Sequence, residues 1–220
     1  MNRNDKLQGI LWDNDGVLVE TEYLFYLANK ELLLRYSLEL SEEDYFEWYL
    51  KRNVGAWHLL SDIGIDEEQI SELRAQRNAL YSEKIEQAQQ LALYGVENLL
   101  QTLHGKVPMG VVTSSYKEHF EAIHQRLNMR QYFDFVLANG DYAQSKPSPE
   151  PYILGLNKLG KRATNCVVVE DSPRGLQAAK AAGIRCIILR GRVTAGYDFR
   201  GAYTIVDNTE ELADVLMNLV

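Results

Sequence analysis

Cysteine is nearly absent from this chain of 220 residues: Cys166 and Cys186 are the two it has. Two cysteines cannot build the disulfide framework of a small secreted domain, and they suit a reducing cytoplasm. Long hydrophobic runs are missing as well. The apolar stretches fall far short of the roughly 20 residues that span a bilayer, so no membrane partner is expected. The segment Met1-Asn2-Arg3-Asn4-Asp5-Lys6 has no apolar stretch behind it, and no signal peptide is expected. Clustered basic residues are lacking too: 23 Lys and Arg face 31 Asp and Glu, for a net charge of −8. Phosphate backbones need grouped cations, so nucleic acid is excluded as a general partner. A small anionic substrate is not excluded, because a metal ion and one lysine reverse the field locally. Internal repeats and low-complexity segments are absent.

What remains is an ordinary globular composition, 46% hydrophobic and 25% charged. It suffices for one sizeable core, or a core with a small second domain. Gly9-Ile10-Leu11-Trp12 reads as a buried strand that stops at Asp13-Asn14-Asp15-Gly16. Helical periodicity then takes over. Leu24, Leu27, Leu32 and Leu33 mark a helix from about Thr21 to Tyr36. Ser41 caps a helix to about Arg52, a short one spans Val54 to Ile63, and Asp66 caps a long one to about Gln90.

Beyond that block the pattern alternates. Strands at Met109–Val112, Phe135–Leu137, Val167–Val169 and Ile187–Leu189 are separated by helices at Val96–His104, Tyr116–Leu127, Pro149–Leu159 and Pro173–Ala182, the last closed by Gly183. Apolar strands alternating with helices imply an α/β fold with a parallel sheet covered on both faces. The first strand belongs to the same sheet. The expected domains are therefore a core of residues 1–19 and 91–220 and an inserted helical unit of residues 20–90.

Ligands of such sheets bind beyond the carboxyl ends of the strands. Asp13 and Asp15 follow the first strand, Thr113, Ser114 and Ser115 the second, and Glu170 and Asp171 the Val167–Val169 strand. Lys146 lies in the loop Gln144-Ser145-Lys146-Pro147-Ser148-Pro149. Acids gathered at one edge call for a cation. Oxygen-only donors favour hard Mg²⁺, and the lack of His or Cys in these segments argues against zinc. A carboxylate beside Mg²⁺ can attack phosphorus, a second can protonate the leaving oxygen and then activate water, and Lys146 with Thr113 can hold phosphoryl oxygens.

Four segments occur in order: Asp13-x-Asp15-Gly16-Val17-Leu18, Val112-Thr113-Ser114-Ser115, Lys146-Pro147-x-Pro149-x-x-Tyr152 and Val169-Glu170-Asp171-Ser172-x-x-Gly175. Together they resemble the four motifs of the haloacid dehalogenase (HAD) superfamily, and the helical insertion resembles that family's C1 cap. The resemblance covers nearly the whole chain. It implies a Rossmann-like core with strand order 5-4-1-2-3. It implies Asp13 as nucleophile and Mg²⁺ ligand, and Asp15 as general acid/base with its carbonyl on the metal. It further implies Thr113 and Lys146 on the phosphoryl group, and Asp171 on the metal with Glu170 beside it, directly or through water. Ser114 is a further candidate for substrate binding, with Ser115 and Lys117 read mainly as turn and helix-start residues.

In that family Asp15 separates chemistries. Members that cleave carbon–halogen bonds lack an aspartate there, and the P-type ATPase branch usually carries Thr. The expectation is thus a cytoplasmic Mg²⁺-dependent phosphatase for a small phosphorylated metabolite, such as a sugar phosphate. The nearest rival is a mutase similar to β-phosphoglucomutase; its histidine in the first cap helix has no counterpart in Glu22-Tyr23-Leu24-Phe25-Tyr26. A non-catalytic phospho-acceptor or binding module is the rival from another class. The aromatics of the insertion, among them Tyr45, Tyr49 and Trp57, are expected to pack a helical bundle rather than to stack on a ligand. Arg52, Trp57 and His58 are weaker candidates for selecting substrate. The oligomeric state is left open.

Overall fold

The computed structural model describes residues 6–220. Residues 1–5, most of the segment read for a signal peptide, lie outside the described residues. The chain divides into two compact units: Met1–Val19 with Ala92–Val220, and Glu20–Leu91.

The first unit is built on a sheet whose strands are β1 (Gly9–Trp12), β2 (Met109–Tyr116), β3 (Phe135–Asn139), β4 (Cys166–Glu170), β5 (Arg185–Leu189) and β6 (Thr204–Val206). Their order is β3-β2-β1-β4-β5-β6, with every neighbouring pair parallel. The expected order 5-4-1-2-3 is present, extended at one edge by β6. Every residue of β1 and β4 is buried, as unbroken apolar strands in the middle of a covered sheet must be. The helices of this unit are α5 (Val96–Leu103), α6 (Lys117–Leu127), α7 (Glu150–Leu159), α8 (Pro173–Ala181) and α9 (Thr209–Leu219). Leu11, Val112, Tyr152, Val168, Leu176 and Ile188 share one buried cluster. Strand β1 sits between β2 and β4, where successive crossovers leave in opposite directions, and such a switch point opens a crevice at the carboxyl ends.

Two elements lie beyond the reading from sequence. Strand β6 has three residues, too few to show a period. Helix α9 starts at Asn208, whose side chain accepts from the Glu211 backbone N–H. Strand β2 also runs on to Tyr116, with an irregular register after Val112. That extension puts Thr113, Ser114 and Ser115 in the strand rather than in a turn.

The second unit holds α1 (Glu22–Leu34), α2 (Glu42–Tyr45) continued by a π-helical turn over Phe46–Lys51, α3 (Trp57–Asp62) and α4 (Glu67–Gln87). Ser41 caps α2 by accepting from the Asp44 N–H, and Asp66 caps α4 in a capping box with Gln69. Helix α3 starts later than expected because Asn53 and Gly55 take positive φ, 55° and 69°, which no right-handed helix contains. In α1 the buried stripe is Tyr26, Asn29, Leu32 and Leu33, while Leu24 and Leu27 are only half-buried. The aromatics pack on one another: Tyr45 stacks on Tyr49 at 4.6 Å, and Phe25 meets Tyr49 and Tyr81 edge-on. Of the weaker candidates, His58 sits edge-on to Trp48, Arg74 covers Trp57, and Arg52 is exposed. No helix among the described residues is long and apolar enough to cross a membrane.

Candidate active site

Asp13 immediately follows β1 and continues its ladder, its N–H donating to Val169 O at 2.9 Å. The chain then turns sharply. Asn14 O accepts from the N–H groups of Val17, Leu18 and Val19, and Gly16 adopts φ +78°. A side chain at Gly16 would be strained and would collide with the Asp171 carboxylate, so the turn needs glycine on both counts.

Lys146 is 1% exposed, far from the solvated loop lysine its sequence context permits. Its ammonium donates to Asp13 Oδ1 at 2.8 Å, Glu170 Oε1 at 2.7 Å and Val112 O at 2.9 Å. Three neighbouring strands thus contribute to one cation's shell. Glu170 is held all round: Tyr152 OH donates to Oε1 at 2.7 Å, and Oε2 accepts from Asp171 N, Ser172 N and Ser172 Oγ. Gly175 in the first turn of α8 makes room for this carboxylate, which an added Cβ would strike.

Asp15 is the more open acid. Its Oδ2 accepts from Ser115 Oγ at 2.6 Å and stands 3.4 Å from Thr113 Oγ1, which in turn accepts from Ser115 N. Ser115, read mainly as a turn residue, is the one whose hydroxyl meets Asp15. The Ser114 hydroxyl is buried without a protein hydrogen-bond partner and is not drawn into this cluster. Tyr152 and Ser115 were visible in the motifs without a role; nothing in the sequence signals the contact of Asn14 with His124, 110 residues apart.

The electrostatics follow from burial. Burial, then repulsion from Glu170, pushes Asp13 up to about 7 against the pull of Lys146. Burial also works against the Lys146 charge, yet Asp13 and Glu170 outweigh it and hold its pKa above the ordinary value. Glu170 goes the other way: burial would raise it, but the Lys146 ammonium and the Tyr152 hydrogen bond hold it down. Asp13, Glu170 and Asp171 each offer an oxygen within 4.8 Å of the others, all three buried. Three acids around one lysine leave negative charge to neutralise, and an all-oxygen donor set suits a hard divalent cation.

Known proteins resemble this chain over most of its length. The family described as haloacid dehalogenase-like hydrolase matches residues 10–189. Fructose-1-phosphate phosphatase YqaB of Escherichia coli is 30% identical over 191 residues, covering 84% of this chain and 98% of that protein. A phosphoglycolate phosphatase of Pectobacterium atrosepticum is 28% identical over 197 residues, 88% of this chain and 82% of its own. Among solved structures, a mutant of CbbY from Rhodobacter sphaeroides in complex with xylulose-(1,5)bisphosphate superposes with a TM-score of 0.80 at 27% identity, over 94% of this chain and 96% of that one. The matched span runs from inside β1 to the last residue of β5, so it takes in every residue of the acid–lysine cluster. This chain belongs to the haloacid dehalogenase-like hydrolase family.

Proposed function

We propose that the protein is a Mg²⁺-dependent phosphatase that hydrolyses a small phosphorylated metabolite, a sugar phosphate in particular, through an aspartyl-phosphate on Asp13. The observation that carries this reading is the buried Lys146 ammonium shared between Asp13 and Glu170, with Asp171 alongside. The names of the relatives, a fructose-1-phosphate phosphatase and a phosphoglycolate phosphatase, support the substrate class. Cys166 and Cys186, both buried and unpaired, suit the cytoplasm as its setting.

In this reading Asp13 and Asp171 would hold the cation with the Asp15 carbonyl. Glu170, its oxygens already taken by Lys146, Tyr152 and Ser172, would add negative charge to the site. A bound Mg²⁺ supplies charge neutralisation for the phosphoryl oxygens. The Asp13 carboxylate attacks phosphorus as the ester oxygen leaves. Asp15, oriented by Ser115, gives that oxygen a proton and so becomes the base that takes one from water in the second step. Attack of that water releases inorganic phosphate and restores Asp13. Lys146 and the Thr113 hydroxyl hold the phosphoryl group in transit. The test is phosphate release from a panel of sugar and other metabolite phosphates, with and without Mg²⁺, for wild type and Asp13→Asn. Mg²⁺-dependent release lost in the variant is expected. Failure to release phosphate from any ester sinks the reading, and a requirement for a bisphosphate activator moves it to a mutase.

A further inference from the structure

We propose that His124 is a positioning residue for the Asp13–Asn14–Asp15 segment, holding the Asn14 side chain and thereby fixing both flanking carboxylates. The inference rests on the roles proposed above for Asp13 and Asp15. His124 lies in the last turn of α6 and Asn14 between the two acids; both are fully buried. His124 Nε2 donates to Asn14 Oδ1 at 2.7 Å. The imidazole is itself fixed, stacked on Phe120 at 4.0 Å with the rings 21° apart, and edge-on to Phe133. Burial pushes its pKa down to about 4, so near neutrality it is an uncharged ring with one N–H to give.

Asn14 is consequently tied twice. Its carbonyl closes the turn by accepting from Val17 N at 3.2 Å, Leu18 N at 2.8 Å and Val19 N at 3.1 Å, while its carboxamide is tied to α6. With main chain and side chain both pinned, the backbone on either side has little freedom to swing the carboxylates. Stability alone does not account for the pair. Asn14 Nδ2 and His124 Nδ1 are buried without a protein hydrogen-bond partner, and an apolar pair of the same shape would leave no such groups behind. A buried polar pair that is half satisfied, one residue from each acid, is accounted for by the precision it gives the segment between them.

The test compares wild type, His124→Phe and His124→Gln, each checked for folding by circular dichroism. His124→Phe is expected to lower kcat about 10–100-fold on the ester best hydrolysed by wild type, the usual loss when a group that orients a catalytic ligand is removed. KM should stay within about threefold, since substrate binding is not what is lost. His124→Gln, whose amide can donate to the same oxygen, should recover most of kcat. A second readout needs no turnover: amide hydrogen exchange at Val17, Leu18 and Val19 should quicken about tenfold in His124→Phe, with Val167–Val169 unchanged. A kcat like that of wild type, or unchanged exchange in the loop, overturns the inference. So does faster exchange across the whole sheet with unchanged kcat, the mark of a plain core residue. If His124→Phe does not fold, Asn14→Ala replaces it with the same expectations. If wild type itself releases no phosphate, the proposed function falls and the exchange measurement alone decides the inference.

Discussion

The Tyr152 hydroxyl donates a 2.7 Å hydrogen bond to Glu170 Oε1, the same oxygen that receives the Lys146 ammonium. Its ring also lies under that ammonium, 4.9 Å from centroid to Nζ. Tyr152→Phe keeps the ring and removes only the donor. It should cost about 1–3 kcal/mol, the penalty for taking a partner from a buried charged acceptor. Urea unfolding measures this directly, and an unchanged midpoint would show that Lys146 and Ser172 satisfy Glu170 without it.

Gly175 offers a prediction whose sign is opposite to helix propensity. An Ala in place of Gly inside a helix ordinarily stabilises it by about 1 kcal/mol. Here the added methyl would strike the Glu170 carboxylate, which is locked from both sides. Gly175→Ala should therefore destabilise by about 1–3 kcal/mol, as overpacking does, and lower phosphate release with it. A gain in stability on chemical denaturation would mean that Glu170 moves freely.

Lys146→Met removes the one ammonium between two buried carboxylates. Breaking such a pair costs about 3–5 kcal/mol, because the partner charges stay behind. The melting temperature should fall, and Mg²⁺ should raise it more in the variant than in wild type by neutralising the same acids. Activity should drop about 100-fold or more with loss of the phosphoryl-binding cation. Thermal melts with and without Mg²⁺, beside phosphate release, check both halves.

His124 sets an acid limit. Its folded pKa, about 4, lies below the ordinary 6.5, so on acidification the unfolded chain takes up a proton that the folded one refuses. Stability contributed by this group is therefore complete above about 6.5 and is lost as pH falls toward 4, by about 3 kcal/mol in all. His124→Phe lacks this component. The stability gap between wild type and variant should shift toward the variant by about 2–3 kcal/mol from pH 7.5 to 4.5, read from urea unfolding at the two pH values. A gap independent of pH would show the imidazole to be charged in the folded state or open to solvent.

Most of the architecture was legible because local pattern and tertiary fate agree. The apolar run Gly9–Trp12 can only be a buried strand, and Asp66 with Gln69 announces the start of α4. The Asn208 cap and the spacing of Leu212 and Leu216 carry an equally readable signal for α9. Strand β6 was not legible, since three residues have no period and its pairing with β5 is a tertiary fact. The length of β2 is not legible because Thr113-Ser114-Ser115 looks like a turn by composition, while the strand resumes pairing with β3 only at Tyr116, past an irregular register.

The sequence by itself determined the alternation of strands and helices, the order in which acids, hydroxyls and lysine come to the carboxyl ends of parallel strands, and the family. Those are properties of short segments, and short segments carry them. Tertiary structure alone decided that Lys146 is buried between Asp13 and Glu170 rather than solvated, and that Ser115 rather than Ser114 takes Asp15. It alone brought His124 to Asn14 across 110 residues. The reason is that a side chain's partner and protonation depend on which strand ends meet and how much water they exclude, and neither is written in any one segment.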